Sequence, residues 1–181
     1  MAQVLKLHPD SRSGAVTGIA VDVTRPEPDR LVFTYVTIGA IARVRLPPVV
    51  DSARADELWQ HTCFEAFLRD APGEAYTEFN FAPSTLWAAY RFIGTRRGMS
   101  PLREISPPRI AIKATTDTLT VTASLLLDAG AGLPRDAHWR LGLSAVIEEV
   151  DGHKSYWALA HPPGRADFHH PDCFAYELPR A

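Results

Sequence analysis

Glu65 and Glu78 are the residues to read first for chemistry, because each stands in a short segment whose neighbours are mostly apolar or aromatic. The segments are 62–68 (TCFEAFL) and 76–81 (YTEFNF). Side chains alternate between the faces of a strand. Phe64, Ala66 and Leu68 then share an apolar side with Thr77, Phe79 and Phe81, leaving Glu65, Phe67, Tyr76, Glu78 and Asn80 on the opposite face. A third segment, 86–93 (LWAAYRFI), also fits a helical period, but its short length and aromatic content favour a strand. Turning Leu86, Ala88, Tyr90 and Phe92 to the core adds Trp87 and Arg91 to the polar face. Aromatic rings beside carboxylates, an amide and a guanidinium suit a polyhydroxylated or planar small molecule. On this reading Trp59, Tyr76 and Trp87 stack on the ligand. Glu65, Glu78, Asn80 and Arg91 bond its rim, and His169 closes the site from the last loop. Cross-strand aromatic and ionic pairs also stabilise sheets by about 0.2–1 kcal/mol each with no ligand at all.

Other chemistries are weaker in the residues. Glu65 and Glu78 could form a general acid and base, as in glycosidases, if neighbouring strands turn both the same way. His161, Asp167, His169, His170 and Asp172 crowd into twelve positions, without HxH or HExxH spacing, and read as ties of a long loop. Met99 with a histidine could ligate haem, but no CxxCH is present. His61 and Cys63, two apart on a strand, sit about 6–7 Å from each other, beyond hydrogen-bond reach. Arg91, Arg96, Arg97 and Arg103 beside Trp87 and Tyr90 would suit single-stranded nucleic acid, which a net charge of −2 opposes. No GxSxG, GxGxxG or P-loop motif occurs. The expectation is therefore no catalytic residue, no metal ligand and no cofactor.

The elements that must position these residues change every eight to twelve positions, with Pro, Gly or Asp at nearly every change. That spacing predicts an all-β fold, a two-sheet antiparallel β-sandwich of jelly-roll or immunoglobulin-like type. Strands are expected over 16–23, 31–38 (continuing through 42–46), 62–68, 76–81, 86–93, 110–114, 119–127, 139–150, 154–160 and 174–178. Asp51 or Ser52 is placed to cap a single helical turn over 52–58. Asp151-Gly152 predicts a tight hairpin. With 181 residues, 46% of them hydrophobic and 22% charged, the chain reads as one domain over 1–181 that needs no metal or disulfide. Cys63 and Cys173 are expected to be thiols. The first nine residues hold no apolar signal core, and no run approaches a membrane span. A cytoplasmic protein with neither nucleic-acid nor membrane partners is the expectation.

The succession LWQHTCFEAFL, YTEFNFAPS, a Trp-bearing strand and YWALAHPPGRADFHHPDCF resembles the DOMON-like group, and is similar to carbohydrate-binding module family 9 within it. The resemblance spans roughly residues 58–178 and rests on Trp59, Glu65, Tyr76 with Phe79, and the stretch 168–174. It implies a β-sandwich and, in relatives, sugar or haem ligands. The late strand departs from the family-9 pattern, with Gly142 and Ala145 where Asn and Arg are expected, so it implies the fold more than the ligand. The function expected is a non-catalytic module for a carbohydrate or sugar-containing metabolite. The alternatives are a structural or protein-interaction sandwich whose polar face meets a partner or forms a homodimer, a haem-binding domain, and a carboxylate-dependent glycosidase-like enzyme.

Overall fold

The computed structural model describes residues 2–70, 73–128, 132–136 and 138–180. Its described residues are all-β, with helix confined to single 3-10 turns at Ile41–Arg43, Leu58–Gln60 and Pro171–Cys173. Twelve strands follow in order: β1 (Gln3–Leu7), β2 (Val16–Glu27), β3 (Arg30–Gly39), β4 (Cys63–Asp70), β5 (Tyr76–Phe81) and β6 (Trp87–Phe92). After them come β7 (Ser100–Pro101), β8 (Arg109–Ala114), β9 (Thr118–Leu126), β10 (Trp139–Glu148), β11 (Lys154–Ala158) and β12 (Tyr176–Leu178). Among the described residues every pairing between these strands is antiparallel.

The expected all-β class is found, but the strands form one continuous hydrogen-bonded path rather than two separate sheets. Its order is β7-β6-β5-β4-β10-β11-β1-β2-β3-β9-β8, with β12 beside the start of β10. Strand β1 joins the limbs by changing partner midway. Gln3, Val4 and Leu5 pair with β2, whereas Lys6 and Leu7 pair with β11. The sheet curls so that the limbs face each other across the core. The Tyr35 hydroxyl of β3 donates to the Glu65 carbonyl of β4 at 2.7 Å, and Tyr35 and Phe64 rings lie 5.1 Å apart. Val21, Leu31, Phe33, Val121 and Ala123 of one limb close on Phe64, Ala66, Phe79, Phe81, Leu141 and Leu143 of the other.

The two limbs differ on their outer faces. Strands β3 and β9 alternate buried and partly exposed residues, as a sheet wetted on one side should. Strands β4, β5, β6 and β10 are buried almost throughout, because a second apolar layer covers their outer side. That layer packs Phe67, Tyr76, Ala88, Tyr90, Phe92 and Val146 under Phe168 and Phe174 of the segment after β11.

Strand β6 corrects the expected phase. The segment 86–93 is indeed a strand, yet Trp87 and Ala89 face the main core and Ala88, Tyr90 and Phe92 face outward. The turn after β5 explains this. Ala82 N–H bonds the Leu86 carbonyl and Thr85 N–H bonds the Ala82 carbonyl, giving a three-residue loop with Thr85 left-handed at φ 74°. Phe81 therefore pairs with Trp87, not Leu86, and one residue of slip exchanges the faces of the strand. The predicted Asp151-Gly152 hairpin has the same bond pattern, with Gly152 at φ 88°.

Three other expectations shift. Residues 42–46 hold a 3-10 turn and a single bridge from Val44 to Glu149, not a continued strand. Residues 52–58 form no helical turn, which falls instead at Leu58–Gln60 behind Glu57 at φ 59°. Strand β1 forms within the first nine residues, ahead of every expected strand. Both cysteines are free and buried.

Because Trp87 is core, with the Arg54 guanidinium 4.2 Å from its ring centre, Trp87→Ala should cost about 3–5 kcal/mol of stability. Urea unfolding measures this loss; a ligand-stacking role alone would leave the midpoint unchanged.

Candidate functional site

On the outer side of the second limb, antiparallel register sets the polar residues side by side. Glu65 of β4 lies opposite Asn80 of β5 and Ser144 of β10, and Glu78 of β5 lies opposite Phe67 and Tyr90. Glu65 and Glu78 are thus diagonal neighbours on one face. They form the floor of a cavity of about 380 Å³. Tyr90, Phe92, Val146 and Tyr156 rise from the strands, Phe168 and His169 come from the segment after β11, and Arg96 and Met99 from the loop after β6. Trp59 stands at the mouth, 51% exposed, on its 3-10 turn.

Each carboxyl is buried and only lightly compensated. Glu65 is 3% exposed and accepts the Ser144 hydroxyl at 3.0 Å. Glu78 is 6% exposed and accepts the Asn80 amide at 2.7 Å. Burial, then the charge of Glu78, pushes the Glu65 carboxyl up to about 8, against the Ser144 hydrogen bond and Arg96. Burial also raises Glu78, opposed by Asn80 and Arg96. Two like charges this close do not ionise together readily, so at neutral pH the floor keeps a proton.

A chain of hydrogen bonds closes one side. The Arg96 backbone N–H donates to the Tyr76 hydroxyl oxygen at 3.2 Å, and Tyr76 Oη lies 2.8 Å from His169 Nδ1. Tyr76 Oη and His169 Nδ1 share one proton, and the other ring nitrogen, Nε2, lies 3.7 Å from Glu78 Oε2. Burial against Phe67 and Phe92, aided by Arg96 and opposed by Asp167, lowers His169 to about 4, so the ring is neutral. The Arg96 side chain spends Nε and Nη2 on Asp167 Oδ1 at 3.1 and 2.8 Å. That pairing holds Asp167 below its ordinary range despite its burial. Arg96 has φ 53°, a strained backbone for a residue with a side chain, held where two segments meet.

Glycine explains how the closing segment approaches so near. A Cβ on Gly142 would stand 3.3 Å from Phe67 Cβ and 3.4 Å from the Cys173 carbonyl oxygen. The Cys173 thiol ties the segment, donating to the Ala160 and Asp167 carbonyls, each at 3.2 Å. A larger residue at 142 would lift this cover, and Ala145 faces the main core.

Of the eight residues expected in a site, Trp59, Glu65, Glu78 and His169 line the cavity. Tyr76 and Asn80 sit directly behind them, holding His169 and Glu78. Trp87 is in the core, and Arg91, on its side of β6 and exposed, does not line the cavity. The inverted phase of β6 hid Tyr90 and Phe92, which counting the register from a three-residue loop would have found. Tyr156 shared the signal of Glu65 and Glu78, a large ring alternating with core residues. Arg96 carried none beyond its place in a basic loop.

The other chemistries are placed as well. His61 pairs with Glu148 at 2.7 Å, and the buried Cys63 thiol, raised by burial and the Glu65 and Glu78 charges, bonds Asn80. Met99 and His169 share the cavity, but Nδ1 is bonded to Tyr76 and Nε2 faces Glu78, so the ring does not fit as an axial haem ligand. Among the described residues no group of three His, Cys, Asp or Glu could hold a metal ion, and no helix is long and apolar enough to cross a membrane.

No family model and no curated protein matches the chain. Among solved structures it is similar to a Bacteroides uniformis protein provisionally described as carbohydrate-binding. The TM-score is 0.69 over 95% of this chain and 83% of that one, at 11% identity. The likeness is one of fold.

The floor has a pH signature. A carboxyl held above its unfolded value of 4.5 favours the native state at low pH, and this stabilisation is lost as pH rises toward about 8. His169, lowered from 6.5 to about 4, acts oppositely, losing stability as pH falls from 6.5. The two oppose each other between about 4.5 and 6.5, leaving Glu65 dominant from 6.5 to 8. Stability should fall across that upper window, with Glu65 alone contributing a slope of at most about 1.4 kcal/mol per pH unit. Urea titrations at stepped pH should show the fall in the native protein and lose it in Glu65→Gln.

Proposed function

We propose that this cavity is a non-catalytic binding site for a sugar or sugar-containing small molecule, within a single DOMON-like β-sandwich domain. The observation that carries the reading is an aromatic-walled cavity of about 380 Å³ whose floor is two buried carboxyls. Apolar walls with few, fixed polar groups are the usual form of a small-molecule site. Sugar rings offer apolar C–H faces to aromatic rings and hydroxyls to carboxyls, and the floor has both donor and acceptor capacity while it holds one proton. The Bacteroides uniformis neighbour and the family-9 resemblance support the same ligand class.

Trp59 is the clearest lever on this function. It stands half exposed at the mouth, so removing it should cost little stability yet remove a stacking surface. A sugar at 100 times its dissociation constant should stabilise the protein by about 2.7 kcal/mol, a rise of several degrees in Tm. Thermal shifts against mono- and oligosaccharides should show such a rise, and Trp59→Ala should weaken the ligand by tenfold or more with the unliganded Tm unchanged. No response to any sugar would remove the reading.

The proton held by Glu65 favours one second reading, acid–base chemistry on the same ligand. It requires turnover of a glycoside that Glu65→Gln and Glu78→Gln each abolish while binding persists; a ligand recovered unchanged after long incubation excludes it.

A further inference from the structure

We infer that the floor of the cavity is the seat of a protonated amine, so that its ligand is an amino sugar or a comparable ring-bearing primary amine. This rests on the cavity being the ligand site. Glu65 and Glu78 are both more than nine-tenths buried, and both open into the same space. An ionised carboxylate offers about four acceptor positions. Among the described residues, Ser144 supplies the one donor to Glu65 and Asn80 the one donor to Glu78. Both carboxyls line the cavity with acceptor capacity left over.

Among the described residues, the one Arg or Lys that lines the cavity is Arg96, whose charge reaches both carboxyls but which gives neither a hydrogen bond. Its Nε and Nη2 are both bound to Asp167. His169 approaches no closer than 3.7 Å, as a neutral ring. Arg43 and Arg45 serve Glu149 and Glu148 at the far end of β10. Among the described residues no lysine lines the cavity. The walls have the complementary character, since Trp59, Tyr90, Phe92, Tyr156 and Phe168 present π-systems whose faces attract a cation. A neutral hydroxyl brings one proton to this arrangement. An ammonium brings three N–H donors and the charge that two close carboxylates lack.

The acid-base balance follows. Without a ligand the Glu65–Glu78 pair holds a proton, whereas a seated ammonium is served by two carboxylates. Binding therefore breaks the carboxyl O–H bond and passes that proton to solvent, while the amine keeps its own. The groups facing the pair are Tyr90 on β6, Ser144 on β10, Tyr156 on β11, Arg96 in the loop after β6, and Asp167 and His169 after β11, with Cys63 and Asn80 alongside.

Calorimetric titration of the whole protein at pH 7 with glucosamine, glucose, N-acetylglucosamine and cyclohexylamine, in two buffers of different ionisation enthalpy, tests this. Glucosamine should bind at least tenfold tighter than glucose and N-acetylglucosamine, with release of a proton approaching one per site. Glu65→Gln and Glu78→Gln should each erase that preference; the proton count, taken on the native protein, stands independently of how the variants fold. Equal or tighter binding of glucose or N-acetylglucosamine, or glucosamine uptake without proton release, overturns the amine seat and leaves the carbohydrate reading standing. Cyclohexylamine binding with proton release, when no sugar binds, keeps the amine seat and removes the carbohydrate reading. Binding of none of the four overturns the amine seat.

Discussion

A strand covered on both faces has nowhere to put a charged side chain in water, and β4 and β5 carry Glu65 and Glu78 in that setting. Their inner faces pack on the opposite limb, and their outer faces lie under the segment after β11. Most of the site's anatomy answers this constraint. Ser144 and Asn80 each bring a donor, the carboxyls exchange charge for a held proton, and His169 stays neutral behind Tyr76. An isolated buried carboxylate costs several kcal/mol, so such a pair persists where a cavity lets something else complete it.

The cover itself depends on small and soft residues. Gly142 gives Phe67 and the Cys173 carbonyl room, and the Cys173 thiol fastens the segment to two carbonyls. The aromatic set above the floor is then packed edge to face around His169, except for Tyr76 and Phe92, which stack at 4.7 Å. One side of the cavity is therefore rigid, built from rings and strands, while its mouth is framed by the exposed Trp59 and Met99.

How much of this was legible in the residues differs by element. β-Branched and aromatic runs bounded by Pro, Gly and Asp mark the strands from β2 onward except the two-residue β7, and alternation in β4 and β5 separates Glu65, Tyr76, Glu78 and Asn80 from the core-facing set. Strand β6 was different, because LWAAYRFI is apolar on both sides and alternation has nothing to discriminate. Only its register could decide, and that hinges on one residue of loop length, with Thr85 in a left-handed conformation that a β-branched residue seldom adopts. The closing segment has the composition of a loop tied by hydrogen bonds, and His161, His169 and His170 each make one. What no local pattern could reveal is which face that loop would cover, since its contacts lie far away in sequence. Strand β1 was missed for the same reason: five residues shared between two partners have no strong period of their own.

The reach of those contacts has a consequence in time. Glu65 meets Ser144 across 79 positions, and Tyr76 meets His169 across 93. During synthesis the carboxyl pair leaves the ribosome long before the strand that bonds it or the ring that shelters it. Until then both glutamates stand in water as ordinary solvated anions. A nascent chain has no cavity with which to recognise its ligand, so the ligand cannot guide early folding and can only reward a chain that is nearly finished.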